Sequence, residues 1–144
     1  MQDMFFMPDH VRGPFKTIRS FHDWVFATAT RQQPGDDGII QGLDHPDMYR
    51  GFLPDTGTRV YFTHGDLNLG NIMVTGSPGT HRITAILDWE QAGWYPEHWE
   101  YCKMCFGAAG DEEWTTDDWP EKILEVHEDA WWAFGSYTLW RGGG

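Results

Sequence analysis

The chain has 144 residues, which is one domain's worth of sequence and long enough to bury a hydrophobic core. Hydrophobic residues make up 40% of it and aromatic residues 16%, so the composition excludes disorder across the whole chain. The net charge of −12 argues against nucleic acid or an anionic membrane as a partner, because both require clustered Lys and Arg. It is compatible with a cationic substrate or with simple solubility.

Segments that direct a chain to a membrane or to an oxidising compartment are not evident in the sequence. No apolar run is as long as a membrane span, and the short apolar segment 4–7 has no basic residue before it. Cys102 and Cys105 are the only cysteines, too few for a disulfide framework. Their C-x-x-C spacing, with His98 one turn earlier, would need further ligands to bind zinc, so reduced helix cysteines are the simpler interpretation. We therefore expect a cytoplasmic protein.

The first third of the chain predicts one helix. Residues 1–15 contain prolines and a glycine and are expected to be irregular. Apolar residues at helical spacing predict a helix over 17–31, with His22 and Asp23 on its solvent side. Residues 32–53 hold a loop and an ambiguous stretch that could end in a short helix.

The middle of the chain predicts three short strands. Residues 58–63 are rich in β-formers, and 71–75 and 82–87 flank a turn made of Gly, Ser, Pro and Thr. The last two strands therefore form a hairpin. An antiparallel hairpin places Asn71, at the start of one strand, beside Asp88, just after the end of its neighbour.

The remainder predicts loops and at least two helices. Residues 91–96 are predicted as a loop, followed by a helix from 96 or 97 through Phe106. The polar, glycine-bearing segment 107–118 is predicted to be irregular. A further helix begins near Pro120 and either continues or breaks before Trp131.

Oxygen-bearing side chains lie on the loops between these strands. Phosphoryl transfer needs a carboxylate to orient the accepting hydroxyl and cations to neutralise phosphate charge. Asp66 suits the first role, because the adjacent Gly65 leaves room for a substrate. Asn71 and Asp88 suit the second, since Mg²⁺ takes oxygen ligands and usually only one or two protein carboxylates.

These residues resemble the aminoglycoside phosphotransferase family, within the protein-kinase-like fold, and look most like its fungal members. The likeness is carried by His64-Gly65-Asp66, by Asn71 at its fixed distance and by the Leu-Asp-Trp-Glu run that contains Asp88. It extends from about Gly13 to Phe106.

The resemblance implies an α+β fold, the mostly helical carboxy-terminal lobe of the kinase-like fold, with a small β-hairpin carrying the catalytic and metal loops. It implies that Asp66 is the catalytic base and that His64 supports the catalytic loop. Asn71 and Asp88 would be the Mg²⁺ ligands. The implied cofactors are ATP and Mg²⁺, and the implied partner is a small-molecule hydroxyl substrate whose identity stays open.

The family's nucleotide-binding lobe has no counterpart in this sequence. That lobe supplies a phosphate-covering loop and a strand-borne lysine, and neither Lys16, Lys103 nor Lys122 has such a setting. Cofactor-binding residues are therefore unknown, and weak ATP binding is expected. We predict an irregular segment 1–15, a truncated phosphotransferase domain over 16–141 and a frayed tail 142–144. The face left open would favour self-association.

Three functions remain open from the sequence. The first is ATP- and Mg²⁺-dependent phosphoryl transfer to a hydroxyl. The second is a non-catalytic, kinase-like binding or regulatory module. The third is a metal-dependent hydrolase built on His64, Asp66 and Asp88. The tryptophans are interpreted as packing residues rather than as a ligand-stacking platform; those considered are Trp89, Trp94, Trp99, Trp131 and Trp132.

Overall fold

The computed structural model describes residues 13–30, 49–108, 114 and 116–142. Within these ranges the fold is α+β and mostly helical, as predicted. Two 3₁₀ turns, Arg50–Phe52 and Leu69–Asn71, accompany the main elements. These elements are α1 (Ile18–Thr30), β1 (Val60–Thr63), β2 (Ile72–Thr75), β3 (Arg82–Ile86), β4 (Gly93–Pro96), α2 (Trp99–Ala108), α3 (Trp119–Ile123) and α4 (Glu128–Gly142).

The main core forms where α1 and α2 both pack against α4. The Phe21 ring of α1 meets the edge of Trp99 of α2, with ring centroids 4.9 Å apart. Burying each large side chain of this kind stabilises the fold by about 1.5–3 kcal/mol. The buried core residues are Phe21, Val25, Phe26, Ala29, Leu53, Tyr95, Trp99, Cys102, Ala130, Ala133, Phe134 and Tyr137.

Two separate two-stranded antiparallel sheets frame the loops that carry the candidate residues. In the first, β1 pairs with β4, with Thr63 opposite Gly93. In the second, β2 pairs with β3, which confirms the predicted hairpin, and Ile72 lies opposite Ile86. An irregularity between Met73 and Val74 lets the β3 strand carry one extra residue. The site loops thus begin and end at strand termini.

The helices follow the prediction closely, and the least predictable boundaries lie in the polar stretches. Helix α1 matches the predicted span at its start, and α2 lies where it was expected. The carboxy-terminal helix breaks, since α3 ends at Ile123 and α4 begins at Glu128. Predictions for residues 1–12, 31–48, 109–113, 115 and 143–144 fall outside the described residues.

Two predicted loops were wrong. Residues 93–96, within the predicted loop 91–96, form β4, because the Trp and Tyr there pair with β1, which is distant in sequence. Residues 107–118 were predicted to be irregular, but α2 continues to Ala108, and Trp114 and Thr116 are helical. Trp114 is buried against Met104, and this contact favours helix where the polar composition did not.

The prediction that His22 faces solvent was also wrong. His22 is completely buried, while its neighbour Asp23 is partly exposed as expected. The segment that follows the first 3₁₀ turn covers the imidazole, and its Nδ1 lies 3.2 Å from Asp55 Oδ1. A polar partner from a distant segment therefore made burial of this histidine tolerable.

The tryptophans divide between packing and exposure. Trp99 is buried in the core and Trp131 packs against it, which agrees with the packing interpretation. Trp89, Trp94 and Trp132 are 48%, 66% and 61% exposed, so that interpretation was wrong for them. None of the helices in the described ranges is long and apolar enough to cross a membrane.

Candidate active site

The segment between β1 and β2 forms the centre of the candidate site. It leaves β1 at Thr63 and enters β2 through the 3₁₀ turn Leu69–Asn71. Leu67 anchors the segment by packing against the small buried cluster that contains Met104 of α2. Residues 64–71, which carry the candidate base Asp66, are called the catalytic loop from here on.

A carboxylate from α2 holds the start of the catalytic loop. Glu100 Oε2 accepts a hydrogen bond from the backbone N–H of His64 at 2.6 Å, and Oε1 accepts one from that of Gly65 at 3.0 Å. Hydrogen bonds to an ionised acceptor are short and about twice as strong as neutral ones. Both N–H groups belong to buried residues, where a backbone N–H without an acceptor is costly. Glu100 supplies the acceptor for each of them.

Gly65 is required by both its backbone angle and its surroundings. Its φ of +82° lies in the left-handed region, and a Cβ placed there would come within 2.9 Å of the Gln91 carbonyl oxygen. Gln91 is itself buried, and its side-chain oxygen accepts a hydrogen bond from Lys103 Nζ at 3.0 Å. The loop after β3 therefore packs directly on the catalytic loop.

His64 connects the catalytic loop to the segment that precedes Asp88. Its Nδ1 accepts a hydrogen bond from the Asp66 backbone N–H at 3.2 Å, so the ring proton is on Nε2. Nε2 donates that proton to the Leu87 carbonyl at 2.8 Å. Trp89 covers the ring edge-on, with centroids 4.6 Å apart. Both nitrogens therefore form hydrogen bonds to backbone groups, one in each of the two segments.

Two amides orient Asp66. Asn71 Nδ2 donates to the Asp66 carbonyl at 2.8 Å and lies 3.3 Å from its carboxylate Oδ2. Asn68 Nδ2 donates to the same carbonyl at 3.1 Å, and its Oδ1 accepts from the Gly70 N–H at 2.9 Å. The carboxylate is thus restrained by neutral donors within its own loop and keeps acceptor capacity for a hydroxyl.

Asp88 reaches the same region through the hairpin backbone. The Leu87 N–H donates to the Asn71 carbonyl at 2.8 Å, so the residue before Asp88 is fixed to the start of β2. Asp88 has a φ of +62°, a conformation that non-glycine residues rarely adopt and that Asp tolerates better than most. Its side chain is exposed, and no hydrogen bond or ion pair from the described residues reaches its carboxylate.

The oxygens available here fit a hard divalent cation. Since the Asp66 oxygens only accept, the Asn71 amide must direct its nitrogen toward them, which leaves Asn71 Oδ1 free to act as a ligand. The Asp88 carboxylate supplies a second oxygen donor, a set that suits Mg²⁺ completed by water and phosphate. Among the described residues, no group of three or more His, Cys, Asp or Glu could hold a metal.

The hydrolase alternative loses its metal ligand. It requires a His64 nitrogen to bind a cation, but one nitrogen accepts from Asp66 and the other donates to Leu87.

Cys102 and Cys105 are free thiols on α2. Burial raises the pKa of Cys105 to about 11 and that of Cys102 well above its usual value, so neither is a ready thiolate.

A cleft of about 250 Å³ is lined in part by Glu100. Arg59 contacts two of its lining residues, donating to Glu97 at 2.7 Å and lying 5.5 Å from the centroid of the Tyr61 ring. None of Asp66, Asn71 and Asp88 lines it. The lining residues are Tyr61, Phe62, Thr63, Glu97, Glu100, Tyr101, Leu124, Glu125 and His127.

Sequence reasoning missed the residues that hold the site in place. Glu100 was part of a predicted helix, where an acidic residue in the first turn is ordinary and carries no sign of its contacts. Gln91 and Asn68 were similarly inconspicuous. Their roles depend on which segments meet in space, which the local pattern does not encode.

Comparison with known proteins indicates a family for this chain. A model of the phosphotransferase enzyme family matches residues 22–140, which is most of the chain. Neither curated proteins nor solved structures gave a match. The matched range contains the whole catalytic loop, the hairpin, Asp88 and Glu100.

Proposed function

Because the chain belongs to the phosphotransferase enzyme family, we propose that it carries a site for ATP- and Mg²⁺-dependent phosphoryl transfer to a small-molecule hydroxyl. The observation that carries the proposal is the convergence of Asp66, Asn71 and the Asp88 segment through the hydrogen bonds of the catalytic loop. The substrate is defined only by this chemistry, as an alcohol.

Asp66 acts as the base in this proposal. Its carboxylate accepts a hydrogen bond from the substrate hydroxyl and takes the proton as that oxygen bonds to the γ-phosphorus. The bond from phosphorus to the bridging oxygen breaks, and ADP leaves with the electron pair. The Asn71 and Asn68 amides keep the carboxylate in position during this step.

Asn71 Oδ1 and the Asp88 carboxylate would hold the cation. Mg²⁺, when bound, would neutralise charge on the phosphate oxygens. His64 positions the two loops relative to one another, because its ring bonds to the backbone on both sides. Glu100 positions the catalytic loop through its hydrogen bonds to the His64 and Gly65 backbone. Neither residue needs to touch the substrate in this scheme.

Phosphoryl transfer by the purified chain tests the proposal. Mg-ATP labelled at the γ-phosphate is offered with a panel of small alcohols, and transfer is compared with that of Asp66→Asn and of Asp117→Asn. Asp117 is an exposed turn residue outside the site and serves as the matched control. We expect transfer by the chain and the control and none by Asp66→Asn.

The contrary results are equally definite. Phosphoryl transfer that persists in Asp66→Asn would show that Asp66 is not the base. No transfer to any acceptor, together with no rise in melting temperature on adding Mg-ATP, would overturn the proposal as a whole.

A second candidate is favoured by the exposed apolar residues on both faces of the hairpin. Ile83 is 65% exposed, and Met73 and Val74 are each 49% exposed. Exposed apolar residues in such density are typical of interaction surfaces. We infer the alternative of a kinase-like carboxy-terminal lobe, similar to the fungal members of the family, that binds or regulates through the hairpin. A chain that stays monomeric at high concentration would count against self-association through these residues, and phosphate transfer that disappears in Asp66→Asn would count decisively against a non-catalytic module.

A further inference from the structure

Two buried histidines meet where α1 packs on the first turn of α2. His22 and His98 are 0% and 2% exposed, and their ring centroids are 5.2 Å apart. His22 Nδ1 bonds to Asp55, but His22 Nε2 and both nitrogens of His98 have no hydrogen-bond partner among the described residues. Buried polar atoms without partners are uncommon and costly, so the arrangement calls for an explanation.

The groups around the pair oppose its protonation. Asp55, Arg50 and Asp23 face His22, where burial lowers the pKa and the hydrogen bond to Asp55 only partly offsets that effect. His22 and His127 face His98, and each would repel a second positive charge. Burial, aided by these two histidines, lowers the pKa of His98 to about 3. Both rings are therefore neutral at pH 7.

The pair is joined to the catalytic loop through α2. The His98 carbonyl accepts the Cys102 N–H at 3.0 Å, so His98 lies at the start of the helix. Glu100, two residues later, holds the backbone N–H groups of His64 and Gly65. A change at the His22–His98 contact therefore acts on the same helical turn that positions the loop.

We propose that the His22–His98 pair is an acid-sensitive latch on the catalytic loop. While both rings are neutral, α1 stays packed on the first turn of α2, and Glu100 keeps its hold on His64 and Gly65. Protonation of His98 places a cation in a buried contact where no acceptor among the described residues reaches either of its nitrogens. The contact then opens, and the loop loses its support from Glu100.

The direction of the pH effect follows from proton linkage. The folded pKa of His98, about 3, lies below its ordinary value of 6.5, so the unfolded or opened form binds a proton first. The stabilisation is present above pH 6.5 and is lost as the pH falls toward 3. From His98 alone, the unfolding constant should rise roughly 25-fold between pH 7 and pH 5.

The test replaces His98 with a ring that cannot be protonated. Unfolding constants are measured in urea at pH 7 and pH 5 for the full chain, for His98→Phe and for the control His81→Gln, since His81 is exposed. Amide protection of His64 and Gly65 is followed by hydrogen exchange, corrected for the intrinsic effect of pH. We expect the control to behave like the unchanged chain, and His98→Phe to lose most of the pH dependence in both readouts.

Equal pH dependence in His98→Phe and the unchanged chain would overturn the proposal. So would loss of pH dependence in global stability with unchanged protection of the His64 and Gly65 amides, because the link to the loop would then be absent. If His98→Phe does not fold, imidazole nitrogen shifts of the unchanged chain decide. Rings neutral down to pH 5 support the latch, and titration of both near pH 6.5 refutes it. None of these readouts requires turnover.

Discussion

Glu100→Gln is the substitution that most sharply probes how the catalytic loop is held. The carboxylate accepts two backbone hydrogen bonds, at 2.6 Å from His64 and at 3.0 Å from Gly65. A glutamine keeps one acceptor oxygen and turns an amide NH₂ toward the other N–H, so one bond is lost and two donors face each other. A hydrogen bond to a charged group contributes about 1.5–3 kcal/mol, so we expect about 2–3 kcal/mol lower stability.

Glu128→Gln provides the matched control. Glu128 and Glu100 both lie in the first turn of a helix, so both substitutions remove a favourable interaction with the helix dipole. Glu128 is exposed and does not contact the catalytic loop. Its substitution should cost about 0.5 kcal/mol or less. The difference between the two variants therefore isolates the contacts to the loop.

Urea denaturation followed by tryptophan fluorescence measures both free energies of unfolding. Hydrogen exchange adds a local readout, since the His64 and Gly65 amides should exchange faster in Glu100→Gln at a given global stability. Equal stability in the two variants, with unchanged protection at His64 and Gly65, would refute the proposed role of Glu100.

Three further substitutions test other contacts of the site. Gly79→Ala should lower the free energy of unfolding by about 1 kcal/mol, because the residue has a φ of +85° but open space for a Cβ. Gly65→Ala should lower it by about 1–3 kcal/mol more, because the new Cβ would meet Gln91. Equal losses in urea denaturation would contradict the close approach of Gly65 to Gln91. His64→Phe keeps the contact with Trp89 but loses two hydrogen bonds, so unfolding should be easier by about 2 kcal/mol, whereas unchanged stability would show that those bonds contribute nothing. Asp88→Asn should change the free energy of unfolding by less than about 0.5 kcal/mol, since Asn also tolerates a positive φ, and a titration should detect no cation binding. A large loss of stability would mean that the carboxylate has a structural role.

The elements that sequence reasoning predicted well are those with a local signal. Helix α1 follows from apolar residues at three- and four-residue spacing, and the hairpin follows from β-formers around a turn. The hairpin also predicted that Asn71 would lie beside Asp88; the bond that the structure shows joins Asn71 to Leu87, the residue before Asp88.

The elements that it predicted poorly depend on distant partners. Strand β4 forms because β1 is available to pair with it, and the local glycine and proline gave the opposite indication. His22 is buried because Asp55, 33 residues away, supplies a partner. Glu100 acts on residues 35 and 36 positions earlier in the chain. Such contacts follow from tertiary packing, which overrides local propensity.

Paramagnetic broadening by Mn²⁺ in the presence of ATP tests the central claim most directly. Mn²⁺ takes the same oxygen ligands as Mg²⁺, and it broadens the amide signals of nearby residues. The account predicts broadening centred on Asn71 and Asp88 that disappears in Asp88→Asn while the remaining spectrum is unchanged. Broadening centred elsewhere, or equal broadening in Asp88→Asn, would contradict a cation site formed by these two residues.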